Sequence, residues 1–179
     1  MKSILKIVGA ITLFAAPLLS YAVTIEGNGV VDRVVDGDTL VVRVTHQPTF
    51  NQFIAAAQGN DRRMRYLSTR DQTIRVRLGS VDTAESVHVN AARNSAEGQE
   101  ASRVVKRLMD RQPVSFQCYD FGRYGRSICN IGFSLNGQRT DLGAWLIANG
   151  YSQYVTAWGR NPYLDAQYRQ AEAQARTRL

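Results

Sequence analysis

Segments rich in valine, or with apolar and polar residues in alternation, predict about five β-strands. The predicted strands cover residues 30–35, 39–44, 74–78, 114–119 and 127–133. The first two flank an Asp-Gly-Asp turn. The third shows the alternation most clearly, because Arg75 and Arg77 separate its apolar residues. An Asn-Gly turn in SLNGQ follows the last strand.

Three later segments have apolar residues spaced three or four apart, which is typical of amphipathic helices. They cover residues 95–110, residues 141–149 and the stretch that begins at residue 161. Thr140 or Asp141 can cap the second helix and Gly150 ends it, while Asn161 before Pro162 is a typical helix start. Strands that come early and helices that come late favour an α+β fold over a repeated βαβ arrangement.

Residues 45–72 fit neither pattern and predict a long loop between two strands. Its FNQFIAAAQ run predicts one short helix, and loops of this length inside compact domains are usually functional or mobile. The run RRMRYLSTR mixes arginines with Tyr66 and Met64, a composition typical of surfaces that bind single-stranded nucleic acid. A solvated surface excursion explains that composition equally well.

The first 22 residues have the layout of a secretory signal peptide. Lys2 and Lys6 precede an apolar run, and small residues stand at the −3 and −1 positions of a cut after Ala22. An uncleaved membrane anchor is the alternative, although the run is short for a bilayer span. We therefore expect an exported chain, periplasmic or secreted, whose residues 23–179 form one domain with an inserted loop at about 45–72.

Composition and charge favour a globular protein with a polyanionic partner. The chain is 44% hydrophobic and 21% charged, which excludes wholesale disorder. Without Lys2 and Lys6, 20 basic residues stand against 15 acidic ones, a net charge of +5. Nineteen of those basic residues are arginines, and arginine binds phosphate through paired hydrogen bonds. The balance suits phosphate chemistry without identifying the partner.

Two cysteines flank a glycine-containing segment, FGRYGR. If the segment is a hairpin, its midpoint falls between Arg123 and Tyr124, which sets Cys118 opposite Cys129. An exported chain would meet an oxidising compartment, so a disulfide is the favoured interpretation. Free thiols or a metal pair are the alternatives, although both histidines are distant in sequence.

Two acidic stretches carry the first candidate chemistry. The turn in VVDGDTLVV is by itself only a strong hairpin signal. The later stretch RLGSVDTAE is a strand that carries Arg77 and ends in Asp82, Thr83 and Glu85. Calcium prefers several oxygen ligands, which Asp38, Asp82 and the carbonyl of Thr83 could supply. Glu85 would then lie near enough to act on water.

A third stretch, FGRYGRS, places Tyr124 and Arg126 on the hairpin between the cysteines. Phosphodiester cleavage needs a nucleophilic water, a positioned metal and positive charge where the phosphorane oxygens develop. Arg77 and Arg126, on separate strands, could hold one phosphate from two sides. Each stretch also has an ordinary interpretation: a turn, a strand end with a surface ion pair, or a glycine-containing hairpin.

The three motifs occur in an order that resembles the staphylococcal nuclease (thermonuclease) family. The likeness covers residues 30–176 approximately, and GQRTDLGAWLIANGY and YRQAEAQAR are similar to the family's later helices. Residues 45–72 lie outside it, since relatives usually have a much shorter connection there. The resemblance implies an OB-like five-stranded β-barrel with three α-helices. It also implies a Ca²⁺-dependent endonuclease that acts on DNA and RNA with low sequence specificity and leaves 3′-phosphate products.

The resemblance also implies roles for individual residues. Asp38 and Asp82 match the family's calcium-binding aspartates, and Thr83 matches the position that provides a carbonyl ligand. Glu85 matches the general base that activates water. Ala84 departs from the family, which commonly has proline there, so we expect Glu85 to be less firmly placed.

The remaining assignments concern the substrate. Arg77 and Arg126 match the arginines that hold the phosphate and stabilise the transition state, and Tyr124 matches a tyrosine beside the terminal phosphate. Trp158 is a candidate for the family's later tyrosine over the base, with core packing as its alternative. We expect a monomer without a stable membrane span in the mature chain.

Two other functions remain open from the sequence. OB-type barrels also bind strands without cutting them, so a non-catalytic nucleic-acid-binding module is the alternative. Such modules usually lack part of the catalytic set, whereas its carboxylates and arginines are all present here. A dedicated role in DNA transfer or uptake, with residues 45–72 docking a partner, is a third hypothesis.

Overall fold

The computed structural model describes residues 24–83 and 96–177, and the predicted signal peptide and Glu85 fall outside these ranges. The strands are β1 Ile25–Asp36, β2 Thr39–Val44, β3 Leu67–Ser68, β4 Thr73–Leu78, β5 Val81–Thr83, β6 Pro113–Phe121, β7 Ser127–Leu135, β8 Gln138–Asp141 and β9 Ser152–Tyr154. The helices are α1 Gln47–Ala57, α2 Asp61–Met64, α3 Ala96–Met109, α4 Leu142–Ala148 and α5 Asp165–Arg176.

Five of the strands close into a barrel in the order β4, β2, β1, β6 and β7. The closing contact is a parallel pairing of β4 with β7, in which Arg77 lies opposite Ile128. Strand β1 pairs with β2 along one side and with β6 along the other. Its two register shifts are bulges, which bend a strand and allow a small sheet to close.

The predicted α+β fold with an OB-like five-stranded barrel is confirmed. In β4, Ile74, Val76 and Leu78 are buried and the two arginines between them are partly exposed, as the alternation predicts. The core also contains apolar side chains from the other barrel strands, from α3 and from α4: Val31, Leu40, Val42, Val105, Phe116, Ile131, Leu142 and Leu146. The described helices number five, however, whereas the resemblance implied three.

The two further helices come from residues 45–72. The short helix predicted from FNQFIAAAQ is confirmed as α1, whereas the prediction of an irregular loop for the rest is wrong, because α2 and β3 form there. Phe50, Phe53 and Ala57 are buried and lie on one face of α1. The ring of Phe53 packs 5.8 Å from that of Phe116 on β6. We call residues 45–72 the insertion; it folds as part of the domain because α1 covers the barrel core.

The two C-terminal helices differ in how well the sequence predicted their starts. Asp141 caps α4, since its carboxylate accepts a hydrogen bond from the Ala144 N–H at 2.9 Å. Helix α5 begins at Asp165 rather than at Pro162. The buried side chain of Asn161 accepts from the backbone N–H groups of Tyr163 and Leu164, so it stabilises a turn before the helix.

A disulfide joins Cys118 and Cys129, as predicted. The two residues face one another in the β6–β7 pairing, with their Cα atoms 4.0 Å apart. The hairpin that carries Arg126 is therefore covalently fixed at its base. Among the helices that the structure describes, none is long and apolar enough to cross a membrane.

Candidate active site

The candidate site lies where the β1–β2 turn, the end of β4 and the β6–β7 hairpin meet. Two pairings bring them together: Thr39 on β2 lies opposite Arg77 on β4, and β4 pairs with β7 just after Arg126. They form a cleft of about 220 Å³. Its lining residues are Val35, Asp36, Asp38, Thr39, Tyr66, Arg75, Arg77, Thr83, Tyr124 and Arg126.

Arg77 contacts both predicted calcium-binding aspartates. Its Nη1 atom lies 3.0 Å from Oδ2 of Asp38, and its Nη2 atom donates to Oδ1 of Asp82 at 2.6 Å. The Asp38 side chain is only 6% exposed, whereas that of Asp82 is 55% exposed. The Arg77 guanidinium therefore binds the buried carboxylate of Asp38 and the exposed carboxylate of Asp82 at one edge of the cleft.

Asp38 is fixed by its neighbours on the barrel. Its Oδ1 accepts a hydrogen bond from the Thr39 hydroxyl at 2.8 Å, and its carbonyl accepts from the Leu78 N–H at 2.9 Å. Burial raises the pKa of the Asp38 carboxyl, against the opposing effects of Arg77 and Thr39. Burial disfavours the charged form of Asp38, so a cation bound beside Arg77 would further stabilise this carboxylate in its charged form.

The first aspartate of the turn has a different environment. Asp36 accepts hydrogen bonds from the Gly37 N–H at 2.8 Å and from the Ser102 hydroxyl on α3 at 2.7 Å. These contacts tie the turn to the helix. Asp36 thus holds α3 against the site, while Asp38 faces Arg77.

Arg126 reaches the same cluster from the hairpin. Its Nη1 donates to the Thr39 hydroxyl at 3.1 Å. Burial lowers the pKa of the Arg126 guanidinium, and the positive charge of Arg77 lowers it further. Two mutually repelling guanidinium groups at one cleft favour the binding of an anion between them.

Thr83 packs against the glycine of the turn. A Cβ atom on Gly37 would lie 2.6 Å from the Thr83 hydroxyl oxygen, so only glycine permits this close approach. That oxygen is buried, and no described residue forms a hydrogen bond with it. Buried hydroxyl groups normally have a partner, so this atom is available to a bound water or cation.

The oxygen donors at this edge suit a hard divalent cation. They comprise the carboxylates of Asp38 and Asp82 and the oxygens of Thr83, and calcium prefers carboxylate, carbonyl and water oxygens. Within residues 24–83 and 96–177 there is no group of three or more His, Cys, Asp or Glu side chains that could hold a metal ion. A cation here would therefore depend on backbone and water oxygens as well as on two carboxylates.

The other predicted site residues differ in position. Tyr124 lines the cleft and is 62% exposed. Glu85 lies outside the described residues, two positions along the chain from Thr83. Trp158 is 87% exposed, so the core-packing interpretation of this residue is wrong.

Arg75 and Tyr66 are among the cleft residues that the sequence analysis did not assign to the site. Arg75 lies on the same face of β4 as Arg77, and strict alternation would have placed it there. Tyr66 comes from the part of the insertion after α2, where the sequence predicted no helix or strand. Its backbone carbonyl accepts a hydrogen bond from the Arg75 N–H at 2.9 Å, which brings the tyrosine to the cleft.

Comparison with known proteins matches part of this arrangement to one family. A sequence profile described as staphylococcal nuclease homologue matches residues 75–178, more than half of the chain. The matched region contains Arg77, Asp82 and Arg126, and it begins after Asp38 and after the insertion. No curated protein matched the sequence.

Proposed function

Since the chain belongs to the staphylococcal nuclease family, we propose that it is a Ca²⁺-dependent endonuclease that hydrolyses phosphodiester bonds of DNA and RNA. The observation that carries the proposal is the pair of contacts by which Arg77 joins Asp38 and Asp82, with Arg126 hydrogen-bonded to the neighbouring Thr39. These groups can bind a phosphate and a cation side by side, and none of them is placed to read a base edge. Low sequence specificity follows.

The proposed metal site consists of Asp38, Asp82 and the carbonyl of Thr83. Bound calcium would supply positive charge beside the scissile phosphate and a fixed position for water. Asp38 is already held by Arg77 and Thr39, so little reorganisation is needed for it to act as a ligand.

The two arginines bind the phosphate and stabilise the charge that develops on it. A guanidinium has five N–H donors, so the contacts of Arg77 with two carboxylates leave donors for phosphate oxygens. Arg126 approaches from the β6–β7 hairpin, and Tyr124 would lie beside the terminal phosphate. Removal of one preorganised donor of this kind typically lowers kcat by about 10²–10³-fold.

Glu85 accepts a proton from the attacking water. The water oxygen bonds to phosphorus as the bond from phosphorus to the 5′-oxygen breaks. The 5′-oxygen takes up a proton from solvent, so the products carry a 3′-phosphate and a 5′-hydroxyl. Ala84 gives the chain between Thr83 and Glu85 more freedom than proline would. We expect this freedom to make the position of the Glu85 carboxylate less fixed without abolishing hydrolysis.

The test is digestion of single-stranded DNA, double-stranded DNA and RNA by the purified protein, with calcium and with a chelator. We expect the nucleic acids to be degraded only when calcium is present. Arg126→Gln and Glu85→Gln should each lower kcat by about a hundredfold or more. Arg169→Gln, which removes an exposed arginine from α5, is the matched control and should leave kcat unchanged.

Other outcomes of this experiment separate the alternatives. Inactivity of the wild type with calcium, or full activity of both variants, contradicts the proposal. Salt-sensitive binding of nucleic acid without strand loss would identify a non-catalytic binding module instead.

Export of a monomeric chain completes the proposal. The disulfide between Cys118 and Cys129 is compatible with an oxidising compartment. N-terminal sequencing of protein recovered from the periplasm or the medium should begin at Val23. An N-terminus at Met1 on that protein would contradict a cleaved signal peptide.

A further inference from the structure

Helix α2 of the insertion packs directly on the hairpin that carries Arg126. A Cβ atom on Gly125 would overlap the carbonyl of Arg62 and would lie 2.8 Å from the backbone nitrogen of Arg63. The guanidinium of Arg63 lies 4.2 Å from the centre of the Phe121 ring, and its Nη1 donates to the carbonyl of Ala56 at 2.9 Å. Helix α2 is thus fixed against the active-site hairpin, and Arg63 also joins α2 to α1.

The segment after α2 leads into the cleft itself. Tyr66 lines the cleft with Arg77 and Arg126. The Arg75 guanidinium lies 5.5 Å from the centre of the Tyr66 ring, and the two residues also share a backbone hydrogen bond. A half-buried aromatic ring therefore stands next to the two arginines that would hold the scissile phosphate.

The same segment carries a high positive charge. Residues 61–70 contain four arginines and one aspartate, a net charge of +3. Arg62 and Arg65 are exposed, and the ion pairs within residues 24–83 and 96–177 include neither of them. Exposed guanidinium groups without acidic partners are suited to contact with phosphates.

We propose that residues 62–66 form a strand-binding subsite for single-stranded nucleic acid, in which Tyr66 stacks on an unpaired base and Arg62 and Arg65 bind neighbouring phosphates. The combination of an aromatic ring with arginines along a backbone path is how proteins bind single strands without sequence preference. A paired base is already stacked within its duplex, so the Tyr66 contact favours single strands. The identity of the ligand rests on the proposed nuclease function.

The test measures binding and digestion separately. Binding of a fluorescein-labelled oligothymidine, and of a blunt-ended DNA duplex of similar length, is followed by anisotropy in the presence of chelator. The variants are Tyr66→Ala, Tyr66→Phe and the double variant Arg62→Gln/Arg65→Gln. The matched control, Arg169→Gln/Arg176→Gln, removes two exposed arginines from α5. Thermal unfolding of each variant checks that it folds.

We expect Tyr66→Ala to weaken binding of the oligothymidine about tenfold, since stacking on an aromatic side chain is lost. Binding of Tyr66→Ala to the DNA duplex should change by less than about twofold, and Tyr66→Phe should bind both ligands as the wild type does. The double arginine variant should reduce the slope of log K against log salt by about 0.7 for each arginine, and the control should not. With calcium, the subsite variants should raise KM for the oligothymidine and leave kcat near the wild-type value.

The inference is overturned if Tyr66→Ala and the double arginine variant bind oligothymidine as tightly as the control does. It is also overturned if Tyr66→Ala weakens binding to the single strand and to the DNA duplex equally. A wild type that binds but never digests would contradict the nuclease proposal alone, because the binding measurements would still decide for or against the subsite.

Discussion

The guanidinium of Arg126 donates a hydrogen bond to the hydroxyl of Thr39, with 3.1 Å between Nη1 and Oγ1. The two residues are 87 positions apart in sequence. The same hydroxyl donates to Asp38 at 2.8 Å. A single side chain from β2 therefore fixes the position of a proposed phosphate-binding arginine relative to a proposed calcium ligand.

This relationship predicts that Thr39→Val lowers activity without unfolding the protein. The variant keeps the shape of the side chain but removes one hydrogen bond from Asp38 and one from Arg126, about 1–3 kcal/mol in total. We expect kcat to fall by roughly five- to a hundredfold. The measurement is steady-state digestion of DNA beside thermal unfolding. Thr39→Ser keeps the hydroxyl and should stay within a few-fold of the wild type, and equal losses in both variants would contradict the prediction.

The contact between Gly125 and α2 predicts a large cost for Gly125→Ala. Gly125 has φ +95°, and a methyl group there also meets the Arg62 carbonyl. Gly137 has φ +80° with no atom within 4 Å of its Cβ position, so Gly137→Ala carries only the backbone strain. We expect Gly125→Ala to lower the unfolding free energy by about 1–3 kcal/mol more than Gly137→Ala does. Chemical denaturation of both variants measures the difference, and equal values would show that α2 moves away freely.

Reduction of the disulfide should destabilise the protein. Cys118 and Cys129 close a short loop, with a sequence separation of 11. Loss of such a cross-link costs about 2–3 kcal/mol through the entropy of the unfolded chain. We expect a reducing agent to lower Tm of the wild type and to leave Tm of Cys118→Ala/Cys129→Ala unchanged. A reducing agent that shifts both proteins equally would contradict this prediction.

The stability of the fold should depend on the ionisation of Asp141. Burial at the start of α4 raises the pKa of its carboxyl from 3.8 to about 6. Between about pH 4 and 6 the native state keeps a proton on Asp141 that the unfolded state has lost. The contribution of this proton to the free energy of unfolding is therefore complete below pH 4 and disappears above pH 6. Asp141→Asn cannot ionise and keeps a capping oxygen. The free energy of unfolding of Asp141→Asn should therefore increase relative to that of the wild type as pH rises, by up to about 3 kcal/mol at pH 7.

Denaturant unfolding at pH 4, 5, 6 and 7 tests this dependence. Asp141→Ala also removes the charge but loses the cap, so it should be less stable than Asp141→Asn by about 1 kcal/mol at every pH. Parallel curves for the wild type and Asp141→Asn would contradict the raised pKa.

The sequence predicted the elements whose signals are local. Alternation identified β4, and the midpoint of a hairpin identified the Cys118–Cys129 pair. Asp141 was one of the two caps that the sequence allowed for α4, and the structure selects it. In these cases one strand, one turn or one helix end contains the whole pattern.

The insertion could not be predicted to the same depth, because its structure depends on distant partners. The run FNQFIAAAQ predicted the helix α1, but not that Phe53 of this helix packs on Phe116 of β6. Helix α2 has only four residues and no buried side chain, so propensity alone does not indicate it. The start of α5 was misplaced because Asn161 caps a turn as readily as a helix. Tyr66 reached the cleft only through the pairing of β3 with β4.

The parallel pairing of β4 with β7 has a consequence for when the activity can arise. Residues 76–78 must find residues 127–129, so the barrel closes only after most of the chain has been synthesised. Until then Arg77 and Arg126 are not held on one surface, and the nascent chain has no complete cleft. The proposed nuclease activity would therefore be absent until the fold is complete.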